Sequence, residues 1–505
     1  MQKLHIYNTI SGEKELFKPI EDGYIGFYVC GPTVYNDVHL GNCLTFTNFD
    51  VIYRYLLHIG YKVRYVRNIT DVGHLLDDGE DRISKGARLE KLEPMEVVQK
   101  YTNRFHDMMR LFNNLRPSIE PRATGHIIDQ IDMVKAILDN GLAYESNGSV
   151  YFDVVAFRDR YPEKATSKVG YGYGDLSGRN VDELLQETRD LKNQGEKRHP
   201  ADFAIWMKAS DEHIMRWNSP WSVGFPGWHL ECSAMSTKYL GQRFDIHGGG
   251  NDLKFPHHEN EIAQNVGACN CTPANYWMHT NMLLMNGKKM SKSDGNTISP
   301  GELFSGDSPH VSKGYSPMTV RFFMMQSHYR SPVDLTDEAL GAAEKGYHRL
   351  MEGLKRLDNL HSEKDSNGAL GTEIEELIDK MYDEMNDDFN TPRTLAVIFE
   401  LITRINAIVD GHRDIEEVSD KTLDRLKGEL HAFVFDVMGL KDESVSGGNG
   451  GNEELLEGLM QVIIDIRKQA RENKNWATAD LIRDALGNLN IELKDGKDGT
   501  TWSAR

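Results

Sequence analysis

Cysteine is scarce in this chain. The 505 residues include five cysteines: Cys30, Cys43, Cys232, Cys269 and Cys271. Five scattered cysteines are too few for a disulfide framework, and this scarcity is typical of a reducing compartment. In such a compartment a cysteine is a ligand, a nucleophile or a core residue.

Long apolar runs are also absent. We find no run of 18 apolar residues and no apolar signal segment near the first residue, so we expect a cytoplasmic protein without a membrane partner. Charged residues at 27% and hydrophobic residues at 39% indicate a soluble globular protein. A length of 505 residues exceeds one ordinary core and predicts three or more domains.

Basic residues are fewer than acidic residues in this chain. Lys and Arg number 58 against 77 Asp and Glu, and the net charge is −19. This balance excludes indiscriminate binding of nucleic acid. It still permits a specific RNA partner held by local basic patches.

The first part of the chain alternates between strand-like and helix-like patterns. Residues 25–29 are rich in β-forming side chains, residues 46–60 have apolar side chains at helical spacing, and residues 63–69 alternate like a strand. A strand, a helix and a second strand form a βαβ unit of a parallel sheet. The alternation returns later, with a strand at 244–247, a helix from about Pro256 and a strand at 277–285.

Two such halves predict an α/β protein with a split Rossmann-like parallel sheet, whose ligands bind at the carboxyl ends of the strands. Apolar spacing in the later chain predicts a helix bundle, and a Gly/Ser/Asn-rich stretch predicts a flexible linker before a small α+β domain. The predicted boundaries are residues 1–119 and 226–315 for the two halves of the split sheet, 120–225 for an inserted connective subdomain, 316–441 for the helix bundle, 442–452 for the linker and 453–505 for the last domain.

A His-Leu-Gly-Asn sequence, residues 39–42, follows the first strand and opens the first helix. A helix N-terminus offers unpaired N–H groups and partial positive charge, which suit a triphosphate. Gly41 lets a ligand approach the backbone closely. An ordinary strand-to-helix turn is the alternative.

A second motif, Lys-Met-Ser-Lys-Ser at residues 289–293, follows the last predicted strand of the second half. Lys289 and Lys292 could neutralise the charge that develops on a departing pyrophosphate. The alternative is a solvated Lys/Ser loop.

Soft and hard metal ligands lie close together between residues 228 and 261. His257 and Glu261 share a helix face at i and i+4, and His258 with Glu261 is a competing pair. Cys232 supplies a sulfur, and Cys30 is the candidate for a fourth ligand of a tetrahedral zinc because it ends the first strand. The Cys269-Asn270-Cys271 sequence is a rival source of ligands. Ile262 occupies the position of the second histidine of an HExxH zincin helix, so a metalloprotease is not indicated.

The motifs at residues 39–42 and 289–293 resemble the HIGH and KMSKS signatures of class I aminoacyl-tRNA synthetases, with Leu40 and Asn42 as departures from the first. Further segments resemble the cysteinyl-tRNA synthetase family in particular, and the resemblance covers nearly the whole chain. These segments are Cys-Gly-Pro-Thr-Val-Tyr (30–35), Arg-Asn-Ile-Thr-Asp (67–71), Gly-Trp-His-Leu-Glu-Cys-Ser-Ala-Met (227–235), residues 247–252 and residues 255–261.

The resemblance implies activation of L-cysteine with ATP and Mg²⁺ and its transfer to the 3′ end of tRNA(Cys), by a chain expected to be a monomer. It implies one Zn²⁺ held by Cys30, Cys232, His257 and Glu261, and a cysteine pocket lined by Gly31, Thr70, Trp228 and Asp252. It implies ATP contacts by His39, Gly41, Asn42, Gly248, Gly249, Gly250 and Lys292, with catalytic roles for His39, Asn42, Lys289 and Lys292. It implies anticodon contacts by Arg471, Trp476, Asp480 and Asp495.

A bound zinc ion answers a problem of selectivity, because serine is nearly isosteric with cysteine. A pocket that discriminates by shape alone achieves roughly 10²-fold, whereas protein synthesis requires on the order of 10⁴. Zinc prefers a soft thiolate over a hydroxyl. On spacing alone, Trp476 is more typical of the core of a small domain. The three glycines at 248–250 are also typical of a tight turn, which is compatible with a role in adenosine binding.

Three rival functions are disfavoured by the sequence: the predicted RNA-binding domain argues against the first, the Lys289 loop against the second, and the presence of Cys30, Cys232 and Lys292 against the third. A cysteine ligase of mycothiol biosynthesis resembles the same family but transfers cysteine to an amino sugar. A zinc hydrolase would use Glu259 or Glu261 as its base. A non-catalytic RNA-binding relative would lack the chemistry altogether.

Overall fold

Strands and helices alternate over the first part of the chain, as predicted. The computed structural model describes residues 3–73, 82–162, 168–178, 194–211, 213–290, 295–443, 449–473, 475–488, 491–496 and 499–504. The strands are β1 (His5–Asn8), β2 (Glu13–Leu16), β3 (Tyr24–Val29), β4 (Lys62–Arg67), β5 (Ala143–Ser146), β6 (Ser149–Phe152), β7 (Phe203–Lys208), β8 (Trp217–Asn218), β9 (Val223–Pro226), β10 (Phe244–Gly250), β11 (Ala274–Thr280), β12 (Leu283–Met285), β13 (Lys288–Lys289), β14 (Val333–Leu335), β15 (Ile491–Gly496) and β16 (Gly499–Ala504).

The helices of the described residues include a long first helix and a series of helices after residue 316. They are α1 (Leu40–His58), α2 (Arg82–Glu90), α3 (Pro94–Leu111), α4 (Ile127–Asp139), α5 (Val154–Arg160), α6 (Trp228–Leu240), α7 (Glu259–Cys269), α8 (Pro300–Ser305), α9 (Pro317–Met325), α10 (Asp337–Asp358), α11 (Ala369–Asn386), α12 (Thr391–Val409), α13 (Asp420–His431), α14 (Asn449–Glu472) and α15 (Trp476–Asn488). None of these described helices is both long enough and apolar enough to cross a membrane.

A four-stranded parallel sheet in the order β11-β10-β3-β4 positions the site. The two halves of the chain meet in this sheet, because β10 of the second half pairs directly with β3 of the first. Alternate residues of β3 such as Ile25, Phe27 and Val29 are buried in the hydrophobic core beneath α1. The α/β class with a parallel sheet is therefore confirmed.

The segment between the two halves forms an antiparallel sheet of its own, in the order β5-β6-β7-β9-β8. It returns to the parallel sheet through Pro226 and Gly227, directly before α6. The elements that follow residue 316 pack as a helix bundle, α9 to α13, whose apolar stripes are buried.

Two details of the predicted elements were wrong. The predicted strand over residues 277–285 is two strands, because β11 ends at Thr280 and β12 belongs to a separate sheet with β13 and β14. In the predicted linker at 442–452, residues 444–448 lie outside the described part of the chain, and the residues from Asn449 onward are helical, since α14 begins there. The Gly/Asn composition of residues 449–452 was compatible with the first turn of a helix, whose later residues carry the apolar pattern.

A buried ion-pair cluster joins α1 to the helix bundle. Arg321 is fully buried and donates to an Asp50 carboxylate oxygen at 2.6 Å and to the Met438 carbonyl at 2.7 Å. The same Asp50 oxygen accepts from Arg54 at 2.7 Å. These charges fix α1, which carries the His39 motif at its start, against the end of the bundle.

The chain consists of two compact units, Met1–Leu440 and Lys441–Arg505. The second unit consists of α14, α15 and the antiparallel hairpin β15-β16, which agrees with the predicted small α+β fold.

Candidate metal centre and active site

Four ligand-type side chains from both halves of the chain converge at one point. Cys30, Cys232, His257 and Glu261 are buried and place one ligand atom each within 4.8 Å of the others. Cys30 follows the last residue of β3, Cys232 lies in the first half of α6, and Glu261 lies in the first turn of α7. These are the four side chains for which the resemblance implies zinc binding.

The separations within this cluster match the edges of a tetrahedral site. Two sulfur ligands at about 2.3 Å from a zinc ion lie about 3.8 Å apart, and Sγ of Cys30 is 3.7 Å from Sγ of Cys232. Glu261 Oε1 is 3.5 Å from the Cys30 sulfur and 3.2 Å from His257 Nε2. The donor set and its spacing therefore fit a four-coordinate metal ion.

A second combination of ligands shares two members with the first. His247 and His258 also lie within 4.8 Å of Cys30 and Glu261 in ligand-atom separation. His258 Nε2 is 3.3 Å from the Cys30 sulfur but 4.0 Å from Glu261 Oε1. His247 contacts the other carboxylate oxygen, Oε2, at 2.8 Å. The set with two sulfurs, which contains Cys232 and His257, offers the softer donors. Its ligand atoms are also more evenly spaced.

Further histidines surround the ligands as hydrogen-bond partners. Nδ1 of His257 is 2.8 Å from Nδ1 of His229, and Nδ1 of His258 is 2.8 Å from Nε2 of His279. Such outer contacts fix the orientation of metal-binding imidazoles. Sequence reasoning missed His229, His247 and His279, and their concentration around residues 229–279 was the available signal.

Burial controls the charge state of the cluster. Burial raises the pKa of the Cys30 thiol, and burial raises the pKa of Cys232 to about 12. Burial lowers the pKa of His229 to about 3, so this imidazole is neutral. Burial alone therefore favours the protonated thiols. A bound divalent cation would favour the thiolates instead, because a coordinated thiol is deprotonated.

The predicted cysteine pocket contains a hydrogen-bonded chain that reaches the metal cluster. The Gly31 N–H donates to Asn68 Oδ1 at 2.8 Å, and Asn68 Nδ2 donates to Glu231 Oε1 at 3.2 Å. The Thr70 hydroxyl donates to the same Glu231 oxygen. Glu231 directly precedes Cys232, so one helix turn holds both a predicted ligand and the anchor of Thr70. Sequence reasoning missed Asn68 and Glu231 as pocket residues.

Gly31 is required by a close approach of two chain segments. A Cβ atom at this position would lie 1.6 Å from the Asn68 carbonyl oxygen. The turn after β3 therefore packs directly on the end of β4. Any larger residue would displace the chain that carries Cys30.

Two other predicted pocket residues lie at different depths. The Trp228 ring is centred 4.3 Å from the His257 ring, so it lies against a predicted metal ligand. Asp252 lies in the exposed turn after β10. Its carboxylate is close to the backbone of Gly250, where a Cβ atom would lie 2.4 Å from Oδ1.

The predicted phosphate-binding motif forms the start of α1. His39 is the N-cap: its Nδ1 accepts from the Asn42 N–H at 3.2 Å, and its own N–H donates to Asn42 Oδ1 at 3.3 Å. This reciprocal capping gives Asn42 a structural task at the helix terminus. A Cβ atom added at Gly41 would lie close to the His39 ring.

The glycine run at 248–250 is the end of a strand, and the interpretation as a tight turn was wrong. All three glycines are buried in β10 and pair with Met278, His279 and Thr280 of β11. A Cβ atom at Gly248 would lie 2.4 Å from the Phe49 ring, and one at Gly249 would lie 2.7 Å from the His258 ring. The absence of side chains lets α1 and His258 approach the carboxyl end of the sheet.

Lys289 is exposed and belongs to β13, which pairs with β12. The backbone carbonyl of Lys289 accepts from the Asn296 amide at 3.0 Å. Lys292 lies outside the described residues.

Glu259 is unsuited to the role of a hydrolytic base. It is fully buried, and its carboxylate accepts from Tyr171 O–H, from Gly174 N–H at 2.8 Å and from Ser177 N–H at 2.9 Å. Both oxygens are therefore engaged by the segment 168–178. Glu259 docks this segment on α7 and does not face the metal cluster's ligands.

The predicted anticodon residues belong to the second compact unit. Trp476 is 58% exposed, so the alternative of a core tryptophan was wrong. Arg471 and Asp480 are exposed, and Asp480 pairs with Arg483 at 3.1 Å. Asp495 lies in strand β15, and its side chain is outside the described part of the structure.

Comparison with known proteins defines the class and then the family. The family described as "tRNA synthetases class I (C) catalytic domain" matches residues 16–345, and the DALR domain matches residues 380–441. The fold is similar to that of methionyl-tRNA synthetase from Mycobacterium tuberculosis, with a TM-score of 0.58 and 13% identity over 82% of this chain and 89% of that chain.

Curated relatives are far closer in sequence. A cysteine--tRNA ligase of Bacteroides thetaiotaomicron is 53% identical over 99% of both chains, and one of Chlorobaculum tepidum is 45% identical over the full length of both. The chain therefore belongs to the cysteine--tRNA ligase family of class I tRNA synthetases.

Proposed function

We propose that this chain activates L-cysteine with ATP, giving cysteinyl-adenylate and pyrophosphate, and transfers the cysteine to the 3′ end of tRNA(Cys). The observation that carries the proposal is the buried cluster of Cys30, Cys232, His257 and Glu261 at the carboxyl end of a class I sheet. This cluster joins residues of both halves beside the pocket that Thr70 and Glu231 line. The relatives named above support the choice of substrate.

The residues proposed to hold the metal are Cys30, Cys232, His257 and Glu261. When bound, a zinc ion supplies a soft Lewis-acid position that takes a thiolate in preference to a hydroxyl. The proposal therefore places the substrate side chain at the base of the cleft, between β3 and α6.

The remaining pocket residues orient the amino acid. Thr70 is held by Glu231 and lies beside the Gly31 turn, and Trp228 covers His257. Asp252 takes the substrate ammonium as an acceptor from the exposed turn after β10. These contacts hold the carboxylate of the substrate cysteine in line with the α-phosphate of ATP. Such positioning is the main contribution that we expect these residues to make.

The phosphates lie against the start of α1. The N-terminus of this 19-residue helix supplies positive potential, and His39 and Asn42 cap it. Lys289 and Lys292 neutralise the charge on pyrophosphate as it leaves, with Mg²⁺ accompanying ATP. Gly248, Gly249 and Gly250 provide a flat strand end for the adenosine. In the second step the terminal adenosine 2′-hydroxyl attacks the acyl group and releases AMP.

The second unit is proposed to bind the anticodon. Exposed Trp476 offers a stacking surface for an unpaired base, and Arg471, Asp480 and Asp495 offer partners for base edges.

The monomeric state and cytoplasmic location expected from the sequence stay predictions.

A charging assay tests the proposal and separates its rivals. The full-length chain is incubated with ATP, radiolabelled L-cysteine and a tRNA(Cys) transcript, with an amino-sugar acceptor in a parallel reaction. We expect acid-precipitable cysteinyl-tRNA and no transfer to the sugar. Transfer to the sugar alone would favour the amino-sugar ligase, and no ATP consumption would favour a non-catalytic RNA-binding protein.

A further inference from the structure

Cys269 and Cys271 form a close pair of thiols outside the metal cluster. Cys269 ends α7, and Asn270 adopts a left-handed backbone with φ 57° and ψ 30° at the helix C-cap. This turn brings the two Sγ atoms to 2.9 Å from each other. A disulfide bond requires about 2.0 Å, so closure needs a shift of roughly 0.9 Å.

Exposure separates this pair from the other thiols. Cys30, Cys43 and Cys232 are buried, whereas Cys269 and Cys271 are partly exposed. A reagent in solution therefore reaches the pair first. The Cys269 sulfur contacts the Asn265 carbonyl of its own helix at 3.1 Å, whereas the contact of the Cys271 sulfur with the Gln242 carbonyl is exposed, which leaves Cys271 as the attacking sulfur.

We propose that Cys269 and Cys271 are a redox site that closes to a disulfide by exchange with a low-molecular-weight disulfide. The Cys271 thiolate attacks one sulfur of the small disulfide, breaks its S–S bond and releases a first small thiolate, which takes up a proton. The Cys269 thiol loses its proton to solvent, and its sulfur attacks Cys271 in the mixed disulfide and releases the second small thiolate. The two protein thiols lose two electrons, and the small disulfide is reduced to two thiols.

The position of the pair keeps closure away from the metal cluster. Cys269 and Glu261 lie at opposite ends of α7, and eight residues of helix span about 12 Å. The Cys271 sulfur lies 3.6 Å from the Gln242 carbonyl, in the turn before β10. Because distant sites act independently, closure is expected to change cysteine activation by less than about twofold.

Peptide mapping of the intact, zinc-loaded chain tests the site. The chain is equilibrated with oxidised and reduced glutathione at graded ratios, its free thiols are alkylated after unfolding, and it is digested with trypsin. Cleavage after Lys and Arg, except before proline as at Lys18-Pro19, places Cys269 and Cys271 as the two cysteines of peptide 255–288, Cys232 in peptide 217–238, and Cys30 with Cys43 in peptide 15–54. We expect peptide 255–288 to lose two hydrogens and take up no alkyl group, while the other two peptides are alkylated.

Single substitutions provide matched controls. Cys269→Ser is expected to accumulate a glutathione adduct at Cys271, because the resolving thiol is absent, and Cys271→Ser is expected to remain largely unmodified. The proposal is overturned if the unsubstituted chain stops at the adduct, or if peptide 15–54 or 217–238 is oxidised first. A fall in cysteine-dependent pyrophosphate exchange that accompanies closure and is absent from Cys271→Ser would overturn the separation from the metal cluster.

Discussion

The sulfur atoms of Cys30 and Cys232 lie 3.7 Å apart, although 202 positions separate the two cysteines in the chain. The pairing of β3 with β10 brings the end of the first half against α6 of the second. The proposed metal site therefore exists only when both halves of the sheet have folded together. Metal binding and assembly of the catalytic sheet are expected to be coupled for this reason.

The adjacent histidines His257 and His258 give a matched test of the ligand set. We expect His257→Asn to abolish stoichiometric zinc binding, because it removes a proposed ligand. We expect His258→Asn to retain zinc with at most about a 100-fold loss in affinity, since His258 is proposed as an outer partner. Chelator competition monitored with a colorimetric zinc indicator measures both. If His258→Asn loses zinc while His257→Asn retains it, the metal site is instead Cys30, His247, His258 and Glu261.

Three of the four residues of this cluster could be predicted as candidates from one stretch of the sequence. Helical spacing brings His257 and Glu261 together, and Cys232 lies nearby in the chain. Cys30 required the inference that β3 ends at the same sheet edge, and the choice of His257 over His258 required the resemblance. Spacing could not decide between the two histidines, because the turn at Lys254–His258 breaks the regular helix and places both imidazoles near Glu261.

The pocket behind the cluster could not be predicted. Glu231 binds Asn68 and Thr70 across more than 160 positions, a contact set by the packing of α6 on the end of β4. The glycines of β10 were misinterpreted as a turn for a related reason. The requirement for Gly248 comes from Phe49, which lies far away in sequence, and the requirement for Gly249 comes from His258, whose ring is brought onto the strand by the fold of the turn that follows it.

Glu231→Gln tests the positioning of Thr70. We expect the variant to retain zinc but to lose about tenfold or more in kcat/KM for cysteine, mainly through KM, because an NH2 group in place of one carboxyl oxygen disturbs the acceptor that Asn68 and Thr70 share. Steady-state pyrophosphate exchange at varied cysteine measures this. Glu259→Gln is the control, since its partners belong to the segment 168–178 and its KM for cysteine is expected to stay unchanged. Equal effects of both substitutions on KM would refute a specific role for Glu231.

Arg321→Met tests the buried cluster that joins α1 to the helix bundle. Removing one partner leaves the Asp50 charge with less compensation, and we expect a loss of about 3–5 kcal/mol in the free energy of unfolding. Urea unfolding followed by circular dichroism measures the change. Arg110→Met removes the exposed pair with Asp107, in which both side chains are more than 60% exposed, and is expected to leave the midpoint nearly unchanged. Similar midpoints for the two variants would contradict the assigned role of Arg321.

Metal-based selection of cysteine over serine is the central claim of the proposed function. ATP–pyrophosphate exchange with L-cysteine and with L-serine, measured on the zinc-loaded chain and after chelation, tests it most directly. We predict cysteine-dependent exchange that exceeds the exchange with serine by on the order of 10⁴ in kcat/KM, that disappears on chelation and that returns when zinc is restored. Comparable exchange with serine, or cysteine-dependent exchange that persists in the metal-free chain, would contradict the account.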